Sequence, residues 1–320
     1  MRRLLLVVAV VLVGCGAAAA QLRDPAFRLG FLAPSPRALE SLRTHTLPEL
    51  AKQGFVEGRN LTLHARVGTG DHLPGLASEL VALKPDAIIV IANRATAAVR
   101  QATDVVPIVM MGAEPVEQGF AASVGRPAAN VTGLDVMGPE LDLKRLHLLH
   151  EAAPVARRHA LLNHSLVPTL EARKADFRKA AAVAGVEPMF FEASGREAYE
   201  GAFAAMRAAG TGALVIGGEP QFRNDIGVLA RLAIEAGLPT ACHWRDMAEG
   251  GCLLSFGPSL PALYRRVAEP VARIFKGAAP GDLPIEAPDR FELVVNLKTA
   301  KALGLTIPES LLLQATEVIE

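Results

Sequence analysis

The side chains able to do chemistry in this chain cluster just after short apolar runs. Ser35 follows one such run, Asn93-Arg94-Ala95-Thr96 a second and Glu114-Pro115 a third. Further on come Asn163, then Glu219 with Gln221, then His243-Trp244-Arg245. Several of these clusters open a helical pattern. That leaves first-turn N–H groups and the positive helix end facing whatever lies beyond the run. Such a place suits a carboxylate. Arg94 and Arg245 could add charge there, and a guanidinium such as that of Arg245 pairs bidentately with a carboxylate. Trp244, the single tryptophan, could stack on a flat ligand or simply pack between elements. Glu114 and Glu219 fit equally well as charges at helix starts.

No reactive set accompanies these groups. There is no G-x-S-x-G elbow to hold a nucleophile. Gly68, Gly70 and Gly75 match neither a dinucleotide fingerprint nor a phosphate loop, and no Lys-Ser/Thr pair follows them. They read as a turn before a helix. His147 and His150 lack a third partner at ligand spacing, so a metal is not expected. The chemistry on offer is binding, without an acid–base pair, a metal or a cofactor, and no enzyme activity is expected.

The elements that must carry these clusters alternate between strand and helix. Strands are expected at 28–33, 61–67, 86–92 (DAIIVIA), 105–111 and 131–136, with helices between them, including a short one over 114–123. The rhythm then restarts near residue 137. Strands at 158–163, 186–192, 213–217, 238–243, 252–256 and 291–296 alternate with helices, and a short helical tail ends the chain. Strands separated by 10–15-residue helices imply right-handed crossovers and parallel sheets. Two successive sets imply an α/β chain of two doubly wound Rossmann-like lobes. Ligands bind in such sheets at the carboxyl ends of the strands, where the polar clusters fall. In the helix expected over 261–275, Pro270 should cause a kink or break.

The composition supports this reading and excludes others. Lys+Arg and Asp+Glu number 33 each, which removes a bulk-basic nucleic-acid binder. Hydrophobic residues make up 51% and aromatic ones 5%, a palette of packed helices and buried parallel strands. Three cysteines are too few for a disulfide scaffold. Cys242 and Cys252 fall near the end of one strand and the start of the next, so they could be bridged or remain buried thiols. Arg2 and Arg3, an apolar run over 4–13 and small residues over 14–20 have the order of an export signal. Cleavage after Ala18-Ala19-Ala20 would give a signal peptide of residues 1–20. Leu12-Val13-Gly14-Cys15 would instead make residues 1–14 a lipoprotein signal, with Cys15 lipidated. Either reading places the working protein outside the cytoplasmic membrane, in the periplasm.

Four segments carry a resemblance: 53–61 (QGFVEGRNL), 130–134 (NVTGL), 254–258 (LSFGP) and 291–305 (FELVVNLKTAKALGL). Over residues 27–320 the chain resembles the ABC transporter substrate-binding proteins that include tryptophan/tyrosine-type binders. The resemblance implies a type I periplasmic binding protein with a three-segment hinge. Crossings are then expected near 134–138, 255–258 and 287–291, with Gly138, Ser255, Gly257 and Pro288 as hinge residues. The lobes would be 27–135 with 257–289, and 136–256 with 290–320. The implied function is an extracytoplasmic solute-binding protein of an ABC importer. A monomer, it would capture a small carboxylate-bearing solute, an amino acid or an aromatic or branched acid. Its partners would be a membrane permease and its ATPase. The alternatives are a ligand-presenting sensor of the same fold and an exported α/β enzyme. Relatives often carry Asp-Pro where this chain has Glu114-Pro115, a small Gly-Thr/Ser-Pro-like turn at 93–96, and Tyr-Gly where it has Phe256-Gly257.

Overall fold

The computed structural model describes residues 26–138, 141–165 and 169–320. The export signal and Cys15 lie outside the described residues. In the first lobe, β1 (Phe27–Ala33), β2 (Leu61–Val67), β3 (Ala87–Ile91), β4 (Ile108–Gly112) and β5 (Val131–Asp135) form a parallel sheet in the order β2-β1-β3-β4-β5. Its helices are α1 (Pro36–Ser41), α2 (Leu47–Lys52), α3 (Leu73–Ala82) and α4 (Asn93–Ala102). The second lobe runs α5 (Asp142–Ala152), β6 (Arg158–Asn163), α6 (Leu170–Ala184), β7 (Glu187–Glu192), α7 (Tyr199–Ala208) and β8 (Ala213–Ile216). It continues with α8 (Pro220–Asn224), α9 (Ile226–Glu235), β9 (Thr240–Cys242), α10 (Arg245–Glu249) and β10 (Leu254–Pro258). After α11 (Leu260–Arg266) and α12 (Ala268–Phe275) come β11 (Phe291–Asn296), α13 (Leu297–Ala302), α14 (Glu309–Gln314) and β12 (Glu317–Ile319). The second sheet has the order β12-β11-β10-β9-β8-β6-β7, with β10 and β11 antiparallel.

The unbroken apolar run of β3 follows from its central place. Ile88 and Val90 pack on Leu80 of α3 and Val99 of α4. Ile89 and Ile91 face the other way, onto Phe31, Leu42 and, from α12, Val271 and Ala272. A strand covered on both faces has no polar side to present. In the second lobe Leu161 and Val215 pack with α5 and α6, while Leu162 and Ile216 pack with α7 and α9.

The chain passes between the lobes three times. The first passage follows β5, where Gly138 precedes α5. β10 holds Ser255 and Gly257, and α11 then enters the first core, where Leu263, Tyr264 and Val267 join Phe31. Gly257 and Pro258, assigned from the sequence to the first lobe, pair with Glu292 and Phe291 in the second sheet. The return path runs beside β5, where Asp135 N–H donates to Glu286 O at 2.9 Å and Glu286 N–H to Gly133 O at 3.0 Å. It then passes Pro288 into β11.

Three local expectations change. Residues 114–123 form turns, not a helix: Glu114 and Gly119 have φ of +54° and +70°, outside the helical region. The 261–275 segment breaks at Val267 rather than at Pro270. A proline disrupts the turn before it, and Pro270 then sits in the first turn of α12, where its missing N–H costs nothing. The tail is not only helical, because β12 adds a parallel strand beside β11. Cys242 and Cys252 form a disulfide with Cα atoms 6.5 Å apart.

Candidate functional site

The carboxyl ends of the two sheets face each other, and the polar clusters line the crevice. On the first-lobe side Ser35 caps α1, accepting from Ala38 N–H at 3.4 Å. Asn93 ties α4 to the end of β4: its side-chain amide donates to Ala113 O and its oxygen accepts from Ala113 N–H, both at 2.9 Å. Ala92, just before α4, has φ +79° and ψ 151°, a region that costs a residue with a Cβ of the order of 1–3 kcal/mol. Thr96 is buried and its hydroxyl donates to Ala92 O at 3.1 Å. Ala95 and Pro115 are buried beside it.

On the second-lobe side a buried charge cluster occupies the centre. Asp142, at the start of α5, accepts from Arg145 Nη1 and from Arg173 Nε, each at 2.8 Å. His243 Nε2 lies 3.2 Å from the same carboxylate. Arg173 Nη1 donates to Glu219 Oε1 at 2.7 Å. Arg145 also reaches both neighbouring crossings, donating to Gly138 O at 2.6 Å and to Phe256 O at 2.7 Å. Gly218 and Gly257 let backbone close on His243; a Cβ at Gly218 would meet the imidazole Nδ1 at 2.4 Å, and one at Gly257 the His243 carbonyl at 2.1 Å.

The electrostatics follow from this packing. Burial alone would raise the Asp142 carboxyl, but Arg173, the His243 hydrogen bond and Arg145 hold it well below the carboxylate range. Burial, reinforced by Arg145, lowers His243 to about 3, so the imidazole is neutral. Burial works against the charged Arg173, yet Asp142 and Glu219 raise it further still. Two arginines therefore balance two carboxylates. Burial also raises Glu114, against the pull of Thr169 and Arg173.

Two strand-end side chains of the second lobe carry unmet hydrogen-bonding capacity. Asn163 ends β6, is fully buried, and has no protein partner for its amide oxygen or nitrogen. The second carboxylate oxygen of Glu219, Oε2, is likewise buried without a partner. Leaving such groups unmet costs about 1–3 kcal/mol each.

The strand-end residues read from the sequence do not all converge. Glu219 and His243 belong to the cluster, Glu114 lies within the field of Arg173, and Asn163 is buried at the end of β6. Arg94 is exposed on α4. Arg245 donates to both carboxylate oxygens of Glu317 at 2.8 Å and to Glu249 at 2.6 Å. Trp244 packs in the second core with Phe222 and Met247, its Nε1 3.4 Å from Gly218 O. Gln221 hydrogen-bonds Tyr199. Asp142, Arg145 and Arg173 were missed. An Asp–Arg pair three apart is the signature of a solvated helix face, and only the tertiary fold buries it.

The lobes are closed on each other. Thr169 Oγ1 of the second lobe donates to Glu114 Oε2 of the first at 2.7 Å, and Arg37 Nη1 donates to Asp246 Oδ2 at 2.7 Å. Among the described residues no helix is long and apolar enough to cross a membrane, and no cluster of three or more His, Cys, Asp or Glu could hold a metal.

Comparison with known proteins agrees with this architecture. The chain is 22% identical over 273 residues to a tyrosine-binding protein of Clostridioides difficile, covering 84% of this chain and 78% of that protein. A crystal structure of an ABC domain in complex with L-Trp from Streptococcus pneumoniae superposes with a TM-score of 0.85 at 22% identity, covering 92% of this chain and 100% of the other. The ligand-free, open structure of a substrate-binding protein with adhesive properties from Clostridium difficile gives a TM-score of 0.69 at 20% identity, covering 92% and 99%. The family model described as ABC transporter substrate binding protein matches residues 39–319. Two hinged α/β lobes, a polar crevice between them and that match place this chain in the ABC transporter substrate-binding protein family, a family of solute binders and not of enzymes.

Proposed function

We propose that the protein is the extracytoplasmic receptor of an ABC importer and captures a zwitterionic amino acid, of which aromatic ones are the first to test. The observation that carries the reading is the pairing of unmet groups around a charge-balanced cluster. The Asn163 amide and the first-turn N–H groups of α4 suit a carboxylate. The free oxygen of Glu219, with Glu114 across the crevice, suits an ammonium. Because Asp142 and Glu219 already balance Arg145 and Arg173, and Glu114 adds a further carboxylate across the crevice, a guest that brings an ammonium with its carboxylate suits the site better than a simple anion, which would bring an uncompensated negative charge. The relatives that bind tyrosine and tryptophan support the same class. Closure about the three crossings traps the solute, and the closed lobes present a composite surface to a permease and its ATPase. The expected export signal and periplasmic location fit that partnership, as does a monomer.

The test is a thermal-shift and calorimetric titration with L-tyrosine, L-tryptophan and L-leucine. Each is compared with its analogue lacking the amino group and its analogue lacking the carboxylate. A solute at 100 times its Kd stabilises the fold by about 2.7 kcal/mol. The intact amino acid should raise the melting temperature, both analogues should fail, and Asn163→Leu should abolish the effect. Equal stabilisation by the deaminated acids would overturn the zwitterion assignment. Loss of labelled solute uptake on deleting the gene tests the importer role; unchanged uptake with loss of a signalling response would favour the sensor alternative.

A further inference from the structure

A cleft lined in part by charged side chains lies between the lobes, apart from the buried cluster. It has a volume of about 180 Å³ and is lined by Ser41 and His45 of the first lobe, Arg223 and Asp246 of the second, and Leu260 of the crossing. Spanning its mouth, the Asp246 carboxylate is shared by guanidiniums from opposite lobes. Arg37 Nη1, from α1, donates to Oδ2 at 2.7 Å. Arg223, from α8 in the second lobe, donates through Nε at 2.9 Å and lies within 2.8 Å through Nη2. The Arg223 contact stays within one lobe and persists whether the lobes are open or shut. The Arg37 contact exists only when they are shut.

We propose that Arg37 and Asp246 form a clasp that sets the fraction of closed protein, and through it the time a solute stays bound. Arg223 is the positioning residue: it orients Asp246 on the second lobe before Arg37 arrives, which lowers the entropic cost of the cross-lobe pair. Asp246, on α10, and His243 lie in the segment closed by the Cys242–Cys252 disulfide, which ties the clasp covalently to the cluster. The Arg37 side chain is 58% exposed and the cleft admits ions. A pair so exposed is screened by salt and is worth a factor of about 1.4 to 5 in a two-state equilibrium. It is a weak fastening, suited to adjusting closure rather than locking it.

The test measures closure without any solute. Nitroxide labels introduced by Asp104→Cys and Arg207→Cys, both exposed and on opposite lobes, report the inter-lobe distance by electron–electron double resonance. Raising NaCl from 50 to 500 mM should increase the open-to-closed ratio of the parent about 1.4- to 5-fold. Arg37→Ala should start at the higher ratio and respond to salt no further, while Arg37→Lys should restore part of the response. Parent and Arg37→Ala giving the same ratio at both salt concentrations would overturn the clasp. The companion measurement rests on the amino-acid reading: solute dissociation from Arg37→Ala should be about 1.4 to 5 times faster. If no amino acid binds either protein, that reading fails, while the distance measurement still decides the clasp.

Discussion

Replacing Arg145 with methionine removes a side chain that touches the cluster and two crossings together. In the parent it makes three charge-assisted hydrogen bonds, to Asp142, Gly138 and Phe256, at 2.6–2.8 Å, and it is fully buried. Each such bond is worth about 1.5–3 kcal/mol in isolation, but the three share one guanidinium and do not add. The better guide is the loss of one partner of a buried ion pair, about 3–5 kcal/mol. Asp142 keeps Arg173 and stays ionised, which limits the damage to that range. At about 2–4 °C per kcal/mol for a domain of this size, Arg145→Met should lower the melting temperature by about 6–20 °C. Scanning calorimetry and urea unfolding measure it. Arg94→Met is the control: that arginine is exposed on a helix, and its replacement should stay within about 0.5 kcal/mol of the parent. Arg145→Lys keeps the charge but not the fork, and should fall between the two. Arg145→Met melting within 2 °C of the parent would refute the claim that this residue braces the crossings.

Two further outcomes follow from other sites. Burial lowers His159 to about 4, so between about pH 6.5 and pH 4 the unfolded chain binds a proton that the folded chain refuses. Stability is therefore fully present above pH 6.5 and falls on acidification, by up to about 3 kcal/mol at pH 4 from this residue. His243 acts in the same direction, and His159→Leu should flatten the acid limb of a melting-temperature profile. Ala92→Gly releases the backbone strain before α4 and should stabilise the fold by about 0.5–2 kcal/mol net of glycine's own entropy cost; a lower urea midpoint would count against that strain.

The sheets were largely legible because buried parallel strands have nowhere to hide a polar residue. The run at 87–91 can be read directly. β12 could not, since Glu317-Val-Ile carries too short a pattern and becomes a strand only by lying beside β11. The same split divides the site. The positions of Asn163, Glu219 and His243 at or just after strand ends could be anticipated because strand ends are local features. Arg145 and Arg173 could not, because their burial comes from Asp142, Glu219 and His243, each reached through tertiary packing. Arg245 erred in the opposite way: its position suggested a free cation, but Glu317, 72 residues later, occupies it. Pro270 announced a break and not its place, since its effect falls on the preceding turn.

The ten-residue span from Cys242 to Cys252 has a practical corollary for anyone producing this protein. In a reducing cytosol that ring would stay open, and the segment carrying His243 and Asp246 would be held by its packing and hydrogen bonds alone. Material made there and material secreted into an oxidising compartment would share one sequence and differ in how firmly this corner of the second lobe is pinned. Comparing the two preparations before and after a mild oxidant would reveal how much of the grip is installed only after the chain has left the cell interior.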